Sequence, residues 1–213
     1  MATVACPPER LVILDRVSWE TYERLLAEHG ERNGTRFTYD GGVLEIMVLS
    51  SRHEMPNRTL AALVEVLAEE WNFNIARLGS TTIKREDLQK GFEPDSCFYI
   101  QHAAAIRGKE EIDLNEDPAP DLTIEVDITR ESLNRFPIFA AVGIPEVWRF
   151  DGTRVTFFQL DSGSYIETEC SLTFPSLSCE IATEFLNQSQ KLESTVWLRE
   201  VRDWARSQKN PGQ

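Results

Sequence analysis

A chain of 213 residues, 41% hydrophobic and 27% charged, can bury a sizeable core and is not disordered; its length suits one domain, with or without an appendage. No apolar run approaches the roughly 18 residues of a membrane span, and the N-terminus lacks a basic start followed by a long apolar core, so a soluble cytoplasmic protein without a signal peptide is expected. With 22 Lys and Arg against 35 Asp and Glu, the net charge is -13, which argues against a broad basic face for nucleic acid and leaves only a local basic groove or a metal cluster to offset it.

The first stretch, residues 1–17, reads as an irregular lead containing the short apolar run Leu11 to Leu14. Ser18 is a good N-cap for a helix from Trp19 to His29 with Gly30 as its stop, and Trp19, Tyr22, Leu25 and Leu26 share one face. Thr35 to Asp40 and Val43 to Leu49 read as a hairpin closed by Asp40-Gly41-Gly42. A long amphipathic helix follows, Glu54 to Asn72, with His53 at its entrance. Phe73 to Lys84 supplies one or two strands, Lys84 to Gly91 a charged loop, and Ser96 to Ile100 a strand. Residues 101–119 form a short helical or loop excursion whose acids, Glu110, Glu111, Asp113, Glu116 and Asp117, are solvated surface.

Leu122 to Val126 is an apolar run of buried-strand character, and Glu131 to Val142 a helix that Pro137 must kink or start late. Glu146 to Phe150 and Arg154 to Leu160 pair through Asp151-Gly152, Tyr165 to Cys170 adds a strand, and Glu180 to Asn187 and Lys191 to Arg206 are helical. This order predicts a mixed sheet with helices on its faces rather than a regular βαβ succession, in one domain spanning residues 1–213 with an N-terminal helix and a C-terminal helical extension. The four cysteines, Cys6, Cys97, Cys170 and Cys179, are scattered without a CxxC pair. Reduced thiols are expected rather than a zinc site, with two disulfides as the less favoured alternative.

The chemistry centres on acids in apolar strands, since an unpaired charge in low dielectric costs several kcal/mol or more. Glu125 lies inside Leu122 to Val126, Asp127 just past it, Asp95 before the Ser96 strand, and Glu45 in the second hairpin strand. Asp95 and Glu125, on neighbouring strands, can together hold a divalent cation such as Mg²⁺ through carboxylate oxygens, and Glu45 adds a third acid if its strand lies alongside. Each has a plainer explanation. Alternation can turn Glu125 to water from a sheet edge, Pro94-Asp95 is ordinary turn chemistry, Glu45 borders a hairpin, and Asp127 can cap a turn.

The series E-P-D-S, P-D-L-T-I-E-V-D-I-T, and a helix leading into G-I-P-E-V-W-R-F-D-G resembles the Uma-two family of restriction-endonuclease-like proteins, within the PD-(D/E)xK nuclease superfamily. The resemblance runs from the hairpin around Gly42 to the strands after Trp148. It implies an α/β (mixed α+β) restriction-endonuclease-like core, a central mixed β-sheet flanked by helices, with a metal site at one end of the central strands. Asp95 matches the acid of the family's Pro-Asp element, Glu125 that of its Glu-Val element, Glu45 the acid of a G-x-L-E-x-M strand, and His53 a His just after it. The superfamily's lysine is absent, because the position two after Glu125 is Asp127. The basic residue is implied instead on the following helix, where Arg135 and Phe139 stand in place of a more usual Lys and Tyr. Arginine can orient a phosphate but stays protonated and cannot serve as a base.

The leading expectation is a metal-dependent endonuclease that hydrolyses phosphodiester bonds. In it Asp95 and Glu125 bind Mg²⁺ or Mn²⁺, Glu45 binds it directly or through water, Arg135 contacts the scissile phosphate, and His53 lies nearby. The partner is a nucleic acid, DNA in preference to RNA. The alternative is a nuclease-fold binding or assembly module without turnover, favoured by the acidity and the missing Lys. A third expectation is a homodimer built through Trp197 and Trp204, against both packing on the domain's own sheet.

Overall fold

The structure, a computed structural model, describes residues 10–30, 34–48, 51–109, 112–128 and 133–208. Cys6, Glu110, Glu111 and Glu131 lie outside the described residues.

Two sheets form the frame. The first holds β1 (Arg10–Leu14), β2 (Thr35–Asp40), β3 (Val43–Val48), β5 (Ile83–Arg85) and β6 (Lys90–Phe92), in the order β1-β3-β2-β6-β5. The second holds β4 (Ala76–Gly79), β7 (Ser96–Tyr99), β8 (Leu122–Val126), β9 (Glu146–Phe150), β10 (Val155–Asp161) and β11 (Ser164–Thr168), in the order β11-β10-β9-β8-β7-β4. All pairs are antiparallel except β8 with β9, which run parallel with Glu125 opposite Arg149. Six helices occur among the described residues: α1 (Trp19–His29), α2 (Ser51–Glu70), α3 (Ala103–Ile106), α4 (Phe136–Val142), α5 (Cys179–Ser189) and α6 (Ser194–Ser207).

Local chemistry explains most boundaries. Ser18 accepts a hydrogen bond from the Thr21 N–H at the start of α1, which satisfies one of the orphan donors of a helix N-terminus. Gly41 and Gly42 both have positive φ, as a two-residue hairpin turn requires. The helix expected from Glu131 begins only at Phe136, because Pro137 occupies its first turn, where the missing N–H costs nothing.

Two expectations are corrected. The lead segment contains β1, an edge strand on β3, and the charged stretch after Lys84 is a hairpin in which Ile83 faces Phe92 and Arg85 faces Lys90. The latter turns through Gln89, a non-glycine with positive φ, so no glycine signal announces it. Gly91 in that hairpin lies against α1, where an added Cβ would sit 2.3 Å from the Tyr22 hydroxyl. Tyr22 is fully buried and stacked on Tyr39. Gly91→Ala is therefore expected to cost about 1–3 kcal/mol, read as a lower urea midpoint.

Strand β8 is buried on both faces, and alternation assigns them. Leu122, Ile124 and Val126 join Trp148, Phe157 and residues of α2, α5 and α6 in the largest core. Thr123 and Glu125 point the opposite way, toward the side where Cys97 and Val147 pack with Ile138 and Phe139 of α4. Trp197 is buried, with its Nε1 donating to the Phe185 carbonyl, and Trp204 packs on Trp71 and Phe185. Both tryptophans thus pack on this core, Trp197 buried and Trp204 partly so.

Two buried acids turn out to be fasteners. Asp121 accepts from the Ile100 and His102 N–H groups and contacts His102 Nδ1 at 2.6 Å. Glu146, 1% exposed, accepts from Trp148 Nε1, the N–H groups of Leu172 and Thr173, and the Thr173 hydroxyl. A carboxylate with four donors holds the loop after β11 against β9. Glu146→Ala leaves several buried donors unpaired and is expected to cost about 2–4 kcal/mol in urea unfolding.

Candidate active site

The two sheets bring their acids together beside the entrance to α4. In β3, Leu44 and Ile46 pack toward α1, so alternation sends Glu45 and Met47 to the other side. Glu125 reaches the same place from β8. Arg135, just before α4, bridges them: its Nη1 donates to Glu125 Oε2 at 2.6 Å and its Nη2 to Glu45 Oε1 at 3.1 Å. The other Glu45 oxygen accepts the Leu133 N–H, so both oxygens of this fully buried acid are engaged.

Asp95 lies one residue before β7, alongside Glu125. Its Oδ2 accepts the Val126 N–H at 2.8 Å and stands 3.5 Å from His53 Nε2. His53 is buried in the first turn of α2. One turn further, Asn57 donates to the Asp95 carbonyl and accepts from the Ser96 hydroxyl, fixing α2 against β7. Asp95, Glu125, Glu45, Arg135 and His53, which the sequence singles out on five segments, thus meet in one cluster. Asp127 sits at its exposed margin, lining the same cavity.

The cluster opens on a cavity of about 320 Å³, lined by Met47, His53, Glu125, Arg135, Phe136 and Arg149 among others. Burial pushes the Glu125 carboxyl up to about 8; Arg135 opposes that shift, and Asp95 and Asp127 add to it. Asp95 is raised as well, by burial first, against the pull of His53 and Arg135. Burial works against the charge of Arg135, but Glu125, Asp95 and Glu45 outweigh it and keep the guanidinium protonated. Three acids thus gather around Arg135, with His53 also beside Asp95, and burial favours the protonated forms of Asp95 and Glu125.

Asp95 Oδ1 and Glu125 Oε1 are the carboxylate oxygens left over. Both are buried without a hydrogen-bond partner among the described residues. Two such oxygens on adjacent strands suit a hard divalent cation that keeps several waters, as Mg²⁺ does. No group of three or more His, Cys, Asp or Glu that could hold a metal occurs among the described residues.

Sequence reasoning missed Arg149, Asn57 and the fastening roles of Asp121 and Glu146. Arg149 becomes a neighbour of Glu125 only through the parallel pairing of β8 with β9, which no local pattern announces.

The mixed sheet, the helices on its faces and the acids gathered at the ends of β7 and β8 define a protein of the restriction-endonuclease-like fold. The chain belongs to the Uma2 (Uma-two) family, whose model, described as "Putative restriction endonuclease", matches residues 19–188. A solved structure similar in fold is that of a "putative nuclease belonging to DUF820" from Anabaena variabilis ATCC 29413, with TM-score 0.50 and 15% identity, covering 78% of this chain and 97% of that one. No curated protein matches the sequence. Among the described residues no helix is long and apolar enough to cross a membrane.

Proposed function

We propose that the protein is a divalent-metal-dependent endonuclease acting on nucleic acid, DNA in preference to RNA. The observation that carries this reading is the pair of unpartnered, buried oxygens on Asp95 and Glu125 beside an open cavity. These two residues would hold Mg²⁺ or Mn²⁺. A bound cation would supply Lewis-acid stabilisation of phosphate charge and make water a better nucleophile. The Val126 N–H fixes Asp95 Oδ2, and His53, at 3.5 Å, orients the same carboxylate from the α2 side. Glu45 holds Arg135 in place, and Arg135 in turn orients Glu125. Arg135 offsets negative charge at the site but, staying protonated, takes no proton from water.

A second reading, a nuclease-fold module that binds without cleaving, is favoured by one observation. The terminal nitrogens of Arg135 are committed to Glu45 and Glu125, so Arg135 stands in for the lysine neither as a base nor as a free cation. Incubation of the wild type and Asp95→Ala with plasmid and single-stranded DNA and with RNA, in Mg²⁺ and in Mn²⁺, separates the two. Metal-dependent cleavage that disappears in Asp95→Ala supports the nuclease. A folded wild type that cleaves nothing, and takes up no Mn²⁺ in calorimetric titration, overturns it.

A further inference from the structure

The cavity contains a second arginine whose environment differs from that of Arg135. Arg149 projects from β9 on the Glu125 face of the sheet, in register with Glu125. Its guanidinium carbon lies 5.3 Å from the centroid of the Phe158 ring and 5.7 Å from that of Phe136. The two rings meet edge to face with centroids 4.7 Å apart, forming an aromatic floor under the cation. Rings that support the face of a guanidinium leave its N–H donors, which lie in its plane, available to another group. The Arg149 Nε is buried with no hydrogen-bond partner among the described residues, although a buried donor normally has one. Arg135, in contrast, spends its terminal nitrogens on two carboxylates. Asp151 feels the charge of Arg149, but among the described residues no carboxylate is hydrogen-bonded to its guanidinium, which leaves those donors for an incoming anion in a protein of net charge -13.

We propose that Arg149 is the phosphate-binding group of the cavity, receiving a backbone phosphate of the nucleic acid next to the Asp95–Glu125 pair. The assignment rests on the nuclease reading for the identity of the ligand, but it concerns binding and not turnover. Arg149 positions the strand: its planar fork can donate two parallel bonds to a phosphate, which a lysine cannot.

The test uses a fluorescein-labelled DNA duplex and the full chain in EDTA, so that binding is read without cleavage. Fluorescence anisotropy is followed over a range of salt concentrations for the wild type, Arg149→Met and Arg149→Lys. Arg149→Met keeps an apolar stem over the rings and removes the charge. It is expected to weaken binding about tenfold or more and to reduce the slope of log affinity against log salt by about 0.9, the loss of one phosphate contact. Arg149→Lys is expected to keep the wild-type slope and bind several-fold more weakly; should Arg149→Met fail to fold, Arg149→Gln is read in its place by the same slope. Unchanged affinity and slope in the charge-removing variant overturn the assignment while leaving the nuclease reading standing. A wild type that binds through Arg149 but never cleaves with metal keeps the assignment and overturns the nuclease. A wild type that binds no duplex at any salt overturns the assignment, and metal-dependent cleavage of other nucleic acids then decides the nuclease reading separately.

Discussion

Replacing Arg135 with Ala is expected to destabilise the protein by about 3–5 kcal/mol at neutral pH, since removing one member of a buried ion cluster leaves the others uncompensated. Its side chain is 11% exposed, that of Glu45 is fully buried and that of Glu125 is 7% exposed. Without the guanidinium, Glu45 Oε1 and Glu125 Oε2 each lose their donor in a poor solvent. For a chain of this size the drop corresponds to roughly 10 °C in melting temperature. The triple variant Glu45→Gln, Glu125→Gln, Arg135→Met removes the charges together and should recover much of the loss, because a whole buried ionic cluster can be exchanged for neutral groups at little cost. Thermal melts of both variants at pH 7.5 provide the check. An Arg135→Ala protein that melts within a degree or two of the wild type at pH 7.5 would mean that the three side chains do not form the buried cluster described above.

On the nuclease reading proposed above, Glu125→Gln is expected to abolish cleavage, with a loss on the order of 10³-fold, since each 1.36 kcal/mol of transition-state stabilisation is a tenfold change in rate and a correctly held metal would supply several. The same variant has a signature that needs no activity. In the metal-free protein, burial pushes Glu125 up to about 8 from an ordinary value of 4.5, despite Arg135. A carboxyl raised in the folded state binds more protons there than in the unfolded chain. Its contribution to stability is then fully present below pH 4.5 and is lost as pH rises through about 8. In EDTA, the melting temperature of Glu125→Gln relative to the wild type should rise between pH 5 and pH 9, because Gln cannot acquire the buried charge. The self-repulsion of a chain with net charge -13 affects both proteins and drops out of the difference. Mn²⁺ should restore the wild type at the alkaline end and leave the variant unmoved. A difference in melting temperature that stays flat with pH would show that Glu125 is already ionised throughout.

The cysteines bear on compartment and handling. Cys97 is fully buried in β7, and burial with the nearby Glu125 pushes its thiol up to about 12, whereas Cys170 is exposed and free. A thiol reagent at pH 8 should modify Cys170 in the native protein and reach Cys97 only after denaturation.

The sequence by itself determined the pieces whose cause is local. The Ser18 cap, the double-glycine hairpin, the long α2 and the Trp148 strand follow from side chains and their neighbours within a few residues. Glu45 and Glu125 stand out for a related reason: a charge inside an apolar run conflicts with its surroundings, and the conflict is visible before any partner is known, whereas His53 and Arg135 stand out only through the family resemblance. Tertiary structure alone decided what each charge meets. Glu45 spends both oxygens on Arg135 and the Leu133 N–H, while Glu125 and Asp95 each keep one unpartnered oxygen. Spacing along the chain cannot separate these outcomes, because they depend on which face of one sheet is set against the other. Arg149 shows the same limit from the opposite side. Its strand, and the hairpin that brings Phe158 near it, read correctly from the sequence, but its place beside Glu125 arises from the parallel pairing of β8 with β9. Hydrophobic alternation specifies which residues turn inward, and only the completed packing specifies whom they meet there.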